Sequence, residues 1–298
     1  MLVSLILPSL NEGERLQQTV VSLLRHTDVP FEIIVVDNGS TDGSSQFLRG
    51  DFDKRVGLLH SEQRLGVVGA RHAGAAHAKG EVFVFSDAHI LYPENWLAPL
   101  LSELVDDVAL VGPGLTNWGD PDGPMVAGYG WRDLGLEVWP LQPAAEAAYD
   151  VGIIGGGCHV IRRDLFEKLG GYDIGMVAWG SEDQELCLRL WSLGYRVRVV
   201  PSVRVQHYFR ESVEYATWPH VNYNKLRLIF QHFCPKRVEQ SFQRLANEPG
   251  FQEAFAKIES SDVWDRRCLL DEKRVRDAEW FFREFVPGVQ LSLGPGSE

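Results

Sequence analysis

The chain has 298 residues, enough to bury a sizeable core, and its 45% hydrophobic and 23% charged content is ordinary for a globular protein. A formal net charge of -12 works against nucleic acid as a partner and suits a protein that captures anions through a cation and a few placed arginines. No run approaches the ~18 uninterrupted apolar residues of a membrane span. The start lacks a secretory-signal pattern, and the four cysteines form no C-x-x-C pair, so the expectation is a cytoplasmic protein with reduced thiols.

Val3–Leu7 predicts a strand, and Glu14–His26 an amphipathic helix with Leu16, Val20, Leu23 and Leu24 on one face. Phe31–Val36 is nearly all apolar and predicts a strand buried on both faces. Asn38-Gly39-Ser40-Thr41-Asp42 reads as a turn, with cap chemistry for a helix at Ser44–Arg49. Val56–Leu59 and Val82–Ser86 predict two more strands, with a small-residue helix, Gly69–Ala78, between them. A helix follows at Pro93–Leu104, with proline near its start, then a strand at Ala109–Gly112. Periodicity fades from Trp118 to Tyr149, which reads as a long functional loop region. Regularity returns as a strand at Gly152–Ile161, helices at Arg163–Lys168 and Glu182–Leu193, and a strand at Val197–Val200. Beyond Phe209 the pattern is helical, over Trp218–Phe233, Val238–Leu245, Phe251–Ile258 and Glu272–Phe285; Gly294–Glu298 reads as a disordered tail. Short strands alternating with helices imply an α/β fold with a mainly parallel sheet and crossover helices.

Asp87-Ala88-His89 ends the apolar run Val82–Ser86. Residues i and i+2 of an extended chain point the same way, so this carboxylate and imidazole can face one cation. The carboxyl end of a parallel sheet is also where open α/β folds bind ligands; a surface turn is the bland alternative. His207, alternating with valines, is either a satisfied, partly buried residue or a third ligand beside Asp87 and His89. Such a mixed O/N set suits a divalent ion, Mn2+ foremost and Mg2+ after it, and that ion could neutralise a diphosphate. In Trp179-Gly180-Ser181-Glu182-Asp183, helix capping explains an acidic first turn, but two adjacent carboxylates behind a tryptophan exceed what capping needs. Glu182 or Asp183 could take a proton from an attacking hydroxyl, the other holding ligand hydroxyls. The strand ends Pro8-Ser9-Leu10-Asn11-Glu12 and Asp37–Asp42 would border a nucleoside cleft, unless both are ordinary turns. Asp37 is the expected acceptor for a base imide or ribose hydroxyl. Arg71 is either a base or phosphate contact or a solvated helix arginine. Pro8, Asn11, Glu12, Asn38, Ser86, Asp87 and Trp179 complete the candidate donor-binding set.

Taken in order, Pro8-Ser9-Leu10-Asn11-Glu12, Val35-Val36-Asp37-Asn38-Gly39-Ser40-Thr41-Asp42, Gly74-Ala75-Ala76 through Gly80, and Asp87-Ala88-His89 resemble family-2 glycosyltransferases of the GT-A fold. Gly155-Gly156-Gly157-Cys158, Gly170-Gly171-Tyr172-Asp173, Trp179–Asp183 and His207-Tyr208-Phe209-Arg210 look like the polypeptide N-acetylgalactosaminyltransferase catalytic domain. They also look like the galactosyltransferase and chondroitin-synthase type. The resemblance covers roughly residues 1–215 and implies a catalytic domain there, with 216–298 a helical extension. It implies a metal held by Asp87, His89 and His207, a uridine portion at Asp37 and Arg71, and sugar and acceptor at Glu182 and Asp183. Glu182-Asp183 looks like the inverting members, with that aspartate as base, whereas Asp-x-His matches the retaining N-acetylgalactosaminyltransferase side. The segment beginning Phe209-Arg210-Glu211 corresponds to a flexible lid that excludes water over bound donor.

The reading is thus a metal-dependent, inverting transfer of a sugar from a UDP-sugar to an unidentified acceptor. A nucleotidyltransferase would need a Gly-rich basic phosphate loop where Pro8–Gly13 is acidic. A silent sugar-binding module would not need the intact set. The aromatics beyond Trp218 are expected first in core packing and second in a homo-oligomer contact.

Overall fold

A computed structural model describes residues 1–50, 52–210 and 217–289. The chain opens with β1 (Val3–Ser9), α1 (Glu14–His26), β2 (Phe31–Asp37), β3 (Val56–His60), α2 (Gly66–His77) and β4 (Val82–Ser86). β3 pairs with β2, β2 with β1 and β1 with β4, all parallel, which is the half-sheet that the alternating pattern predicts. Side chains of β1 alternate between two cores: Leu5 and Leu7 join Leu16 and Val20 of α1, while Ile6 faces Val68 and Ala70 of α2. This double burial is why β1 and β2 read as continuous apolar runs. The register Val3↔Phe31 through Ser9↔Asp37 ends both strands side by side. The predicted helix at Ser44–Arg49 is only a 3-10 turn, Gln46–Leu48.

The second half runs β5 (Ile90–Leu91), α3 (Leu97–Ser102), β6 (Val108–Asn117), β7 (Tyr129–Trp131), β8 (Val138–Pro140), β9 (Tyr149–Asp150), β10 (Cys158–Arg162), α4 (Arg163–Lys168), α5 (Glu182–Ser192) and β11 (Arg196–His207). The sheet order is β3-β2-β1-β4-β10-β6-β11-β5, with β9 on β11. β10 is antiparallel to β4 and β6, β11 is parallel to β6, and β5 is antiparallel to β11. Several boundaries differ from expectation: α3 starts only at Leu97 rather than Pro93, and β6 runs on past Gly112 to Asn117. The predicted strand Gly152–Ile161 is strand only from Cys158, because its leading glycines stay irregular at the site. The loop region Trp118–Tyr149 contains the small β7–β8 ribbon. β11 continues through Pro201 to His207, a register shift between Val200 and Arg204 absorbing the proline.

Five helices complete the described chain: α6 (Trp218–His232), α7 (Pro235–Leu245), α8 (Phe251–Glu259), α9 (Val263–Asp271) and α10 (Ala278–Phe285). α9 was not predicted, since Asp265, Arg266 and Arg267 interrupt its apolar period. The predicted Glu272–Phe285 helix begins only at Ala278, where the Asp277 side chain caps it by accepting from the Trp280 N–H at 2.8 Å. Leu226 and Ile229 of α6, Phe233 just after it, and Phe281 and Phe282 of α10 share one apolar cluster with Ile6, Phe83 and Phe85 of the sheet. Phe281 and Phe282 pack in that core as expected, whereas Trp218 and Trp264 are half-exposed. Fully buried Asp173 accepts from Arg227 Nε at 2.6 Å and Gln231 Nε2 at 2.6 Å, and equally buried Glu185 pairs with Arg189 at 2.9 Å. No helix among the described residues is long and apolar enough to cross a membrane. The expected lid beyond Arg210 and the tail Gly294–Glu298 lie outside the described residues.

Candidate active site at the carboxyl edge of the sheet

The metal-ligand candidates meet because of one short pairing. β11 ends at His207, which lies opposite Ile90 of β5, and the Tyr208 N–H donates to the His89 carbonyl at 3.1 Å. The loop after β4 is therefore stitched to the last residue of β11, 120 positions later in sequence. His207 Nε2 lies 3.1 Å from Asp87 Oδ2, and His89 Nε2 lies 3.7 Å from the same oxygen. Ligand atoms of Asp87, His89 and His207 all fall within 4.8 Å of one another, the cluster of this kind found among the described residues. Burial opposes the Asp87 charge, yet the His207 hydrogen bond and the nearby His89, His207 and Arg71 hold its carboxyl well below the usual range. An oxygen and two imidazole nitrogens at this spacing fit a hard-to-borderline divalent ion.

Glycines 155–157 form the adjoining wall, and a side chain on any of them would crowd a neighbour: a Cβ on Gly155 would meet the Tyr129 ring at 2.6 Å. A Cβ on Gly156 would meet Arg71 Nη2 at 2.7 Å, and one on Gly157 would meet His207 at 3.1 Å. Arg71, from α2, is fully buried rather than solvated. It donates to the Gly156 carbonyl at 2.9 Å and to Glu182 Oε1 at 3.3 Å, and lies 3.9 Å from Asp87 Oδ1. A single guanidinium thus bridges the two acidic ends of the site.

Glu182 and Asp183 open α5 after a backbone stretch with φ of +49° at Ala178 and +66° at Ser181, conformations that bulky L-residues rarely take. Burial first, then the Asp183 charge, pushes the Glu182 carboxyl up to about 7, against the pull of Arg71. Asp183 is also raised by burial, against Arg71 and two backbone donors. Those donors are the Gly156 N–H to Oδ2 and the Gln184 N–H to Oδ1, both at 2.8 Å. One lone-pair site on each oxygen remains for a further donor.

These groups line one cavity of about 940 Å³, together with Pro8, Glu12, Asn38, Arg71 and Trp179. Asn11, Asp37 and Ser86 do not line it: Asp37 and Ser86 are buried away from it and Asn11 is exposed. Asp37 is buried, and its carboxylate accepts from the Ser40 N–H at 2.9 Å and Ser45 Oγ at 2.6 Å, with His60 Nδ1 at 3.1 Å. Burial opposes its charge, but these hydrogen bonds hold its carboxyl below the ordinary value. Asn11 Oδ1 accepts from the Thr41 N–H at 2.8 Å, tying the β1 turn to the β2 turn. Ser86 Oγ meets Tyr92 OH at 2.5 Å. Asn38 accepts from the Leu65 N–H at 2.6 Å.

Sequence reasoning missed Tyr129, Lys225 and Asn224. Tyr129 and Lys225 line the cavity, and Asn224 holds the 177–180 backbone from behind. Tyr129 falls where periodicity fades, and the other two sit on α6 with no local motif.

The chain matches the model of Glycosyl transferase family 2 over residues 4–170 and that of the N-terminal domain of galactosyltransferase over residues 144–212. Polypeptide N-acetylgalactosaminyltransferase 11 of Xenopus tropicalis is 29% identical over 324 residues, covering 100% of this chain and 52% of the relative. Polypeptide N-acetylgalactosaminyltransferase 4 of Mus musculus is 28% identical, covering 97% of this chain and 52% of the relative. The chain therefore spans about half the length of these curated relatives. A crystal structure of GalNAc-T7 with UDP, GalNAc and Mn2+ superposes with a TM-score of 0.78 at 24% identity, over 96% of this chain and 57% of that one, and establishes the GT-A fold.

Proposed function

The chain belongs to glycosyl transferase family 2, and from that membership we propose that it transfers a sugar from a nucleotide-diphosphate sugar, foremost a UDP-sugar, to an acceptor hydroxyl. The observation that carries the proposal is the convergence of Asp87, His89, His207 and the Glu182-Asp183 pair on one cavity. Residues 1–215 form the catalytic part in this reading, and 216–298 a helical extension.

Asp87, His89 and His207 hold the divalent ion, Mn2+ or else Mg2+. When bound, that ion supplies positive charge against the diphosphate leaving group. Asp183 removes the proton of the acceptor hydroxyl as its oxygen bonds to the anomeric carbon. The bond from that carbon to the diphosphate oxygen breaks, the nucleotide diphosphate departs with the electron pair, and configuration inverts. Burial keeps Asp183 a stronger base than an exposed aspartate, and its two backbone donors fix its direction. Glu182, held by Arg71 and the Gly180 N–H at 2.8 Å, presents its carboxyl to sugar hydroxyls. Pro8 and Asn38 border the nucleoside, and the Trp179 face packs on the pyranose.

Transfer with retention is a second reading, favoured by the Asp-x-His cluster and by relatives named polypeptide N-acetylgalactosaminyltransferases. In it the acceptor is a peptide hydroxyl and Asp183 serves only to fix the Gly156 backbone. The test is nucleotide release from a panel of nucleotide sugars, with and without Mn2+, followed by NMR of the product anomer. An inverted linkage supports Asp183 as base, and a retained one removes that role. A chain that neither binds nor turns over any nucleotide sugar would refute the proposal.

A further inference from the structure

We infer that Glu12, expected among the donor contacts and lining the cavity, is instead a positioning residue for the metal centre, with its two carboxylate oxygens turned to His89 and Arg210. The inference rests on the metal-binding reading above. It starts from the two ends of one buried carboxylate. Glu12 Oε2 lies 3.0 Å from His89 Nδ1, and Oε1 lies 2.5 Å from Arg210 Nη2.

An ionised carboxylate only accepts, so the His89 nitrogen facing it carries the proton. The bare nitrogen is then Nε2, the one turned toward Asp87 and His207. A carboxylate behind an imidazole fixes both its tautomer and its ring angle, and makes the far nitrogen a better ligand. The second arm reaches Arg210, just beyond the strand end that carries the other histidine. Arg210 stands three residues after His207, and the first turn of α1 grips that stretch again where the Arg15 guanidinium lies 3.8 Å from the Tyr208 ring centroid. Tyr208 is the residue whose N–H bonds the His89 carbonyl. Glu12 and Arg15 therefore hold the strand end that carries His207 and the loop that carries His89 in one frame.

The test is Mn2+ titration in the presence of UDP, followed by loss of the free-ion EPR signal. Glu12→Ala is expected to weaken Mn2+ by about 10–100-fold, as removal of an outer carboxylate on a metal-bound histidine does. Glu12→Gln should recover most of that loss, because its amide oxygen still accepts from Nδ1–H. At saturating Mn2+, UDP should bind both variants as it binds the wild type. Wild-type Mn2+ affinity in Glu12→Ala, or weakened UDP binding at saturating Mn2+, overturns the inference.

A readout on the unaltered protein covers the case in which Glu12→Ala does not fold. Long-range nitrogen NMR of metal-free protein at pH 8 should find the His89 proton on Nδ1; a proton on Nε2 alone overturns the inference. Asp87→Ala and His207→Ala separate this idea from its premise. If they leave Mn2+ binding intact, the metal reading itself is wrong. If they abolish it while Glu12→Ala does not alter it, only the positioning role is lost.

Discussion

Asn224 of α6 offers a way to ask whether the C-terminal helices are part of the site. Its side chain is buried and reaches the strained stretch before α5. Oδ1 accepts from the Val177 N–H at 2.9 Å, and Nδ2 donates to the Val177 carbonyl at 2.8 Å and the Gly180 carbonyl at 2.9 Å. Asn224→Ala removes these and a longer bond from Nδ2 to the Trp179 carbonyl at 3.4 Å, together about 3 kcal/mol, and orphans a buried N–H at a further cost of about 1–3 kcal/mol. Relaxing the positive φ of Ala178 and Ser181 returns roughly 1–2 kcal/mol of this. The net loss is about 3 kcal/mol, which for a chain of this size lowers the melting temperature by roughly 6–12 °C. That relaxation moves Trp179, Glu182 and Asp183 together. At a temperature well below unfolding, kcat/KM should therefore fall at least about tenfold. Asn222→Ala on the same helix loses only its bond to the Pro249 carbonyl at 2.9 Å and should keep its activity within about twofold. Calorimetry and nucleotide-release assays measure both effects. An Asn224→Ala protein with unchanged melting and unchanged turnover would refute the reasoning.

Asp183→Asn should lower kcat far more than donor affinity, because a base acts mainly in the transition state; equal losses in steady-state kinetics and donor binding would count against that role. Glu182 is raised from an ordinary 4.5 to about 7, so the stability of its neutral form is full below about pH 4.5 and is lost as pH rises through about 7. Glu182→Gln cannot titrate, so urea unfolding at pH 5 and pH 8 should find wild type losing stability relative to the variant at the higher pH. A pH-independent difference contradicts the assignment. Chelation of divalent ions should abolish nucleotide release and Mn2+ should restore it, whereas release that persists in chelator removes the ion from the reaction.

The fold was readable where one physical cause dominates. β1, β2 and β4 are apolar runs buried on two faces, and α1 has a clean apolar stripe. β11 was cut short at Val200 because Pro201 signals an end, and only pairing with β6 and β5 carries the strand on to His207. In the site, Asp87, His89 and His207 were legible as residue types, and the β5–β11 pairing supplies their meeting. Arg71 was less legible. Its helix reads as a small-residue element, and only the packing of Gly156 against it reveals a fully buried guanidinium. Asp37 stood out by motif, yet its oxygens serve Ser40, Ser45 and His60, a local network no spacing rule anticipates. The contributions of α6 came with no motif at all, since Asn224 and Lys225 act through tertiary packing.

The Asp87-Ala88-His89 segment and the distant His207 either share one ion beneath the diphosphate or they do not. Anomalous diffraction at the manganese edge, from crystals grown with UDP and Mn2+, tests this most directly. The predicted result is a single peak at bonding distance, roughly 2.0–2.3 Å, from an Asp87 oxygen and the Nε2 atoms of His89 and His207, with the diphosphate on its open side. A peak elsewhere, or UDP bound in the cavity with no peak among these three side chains, would contradict it.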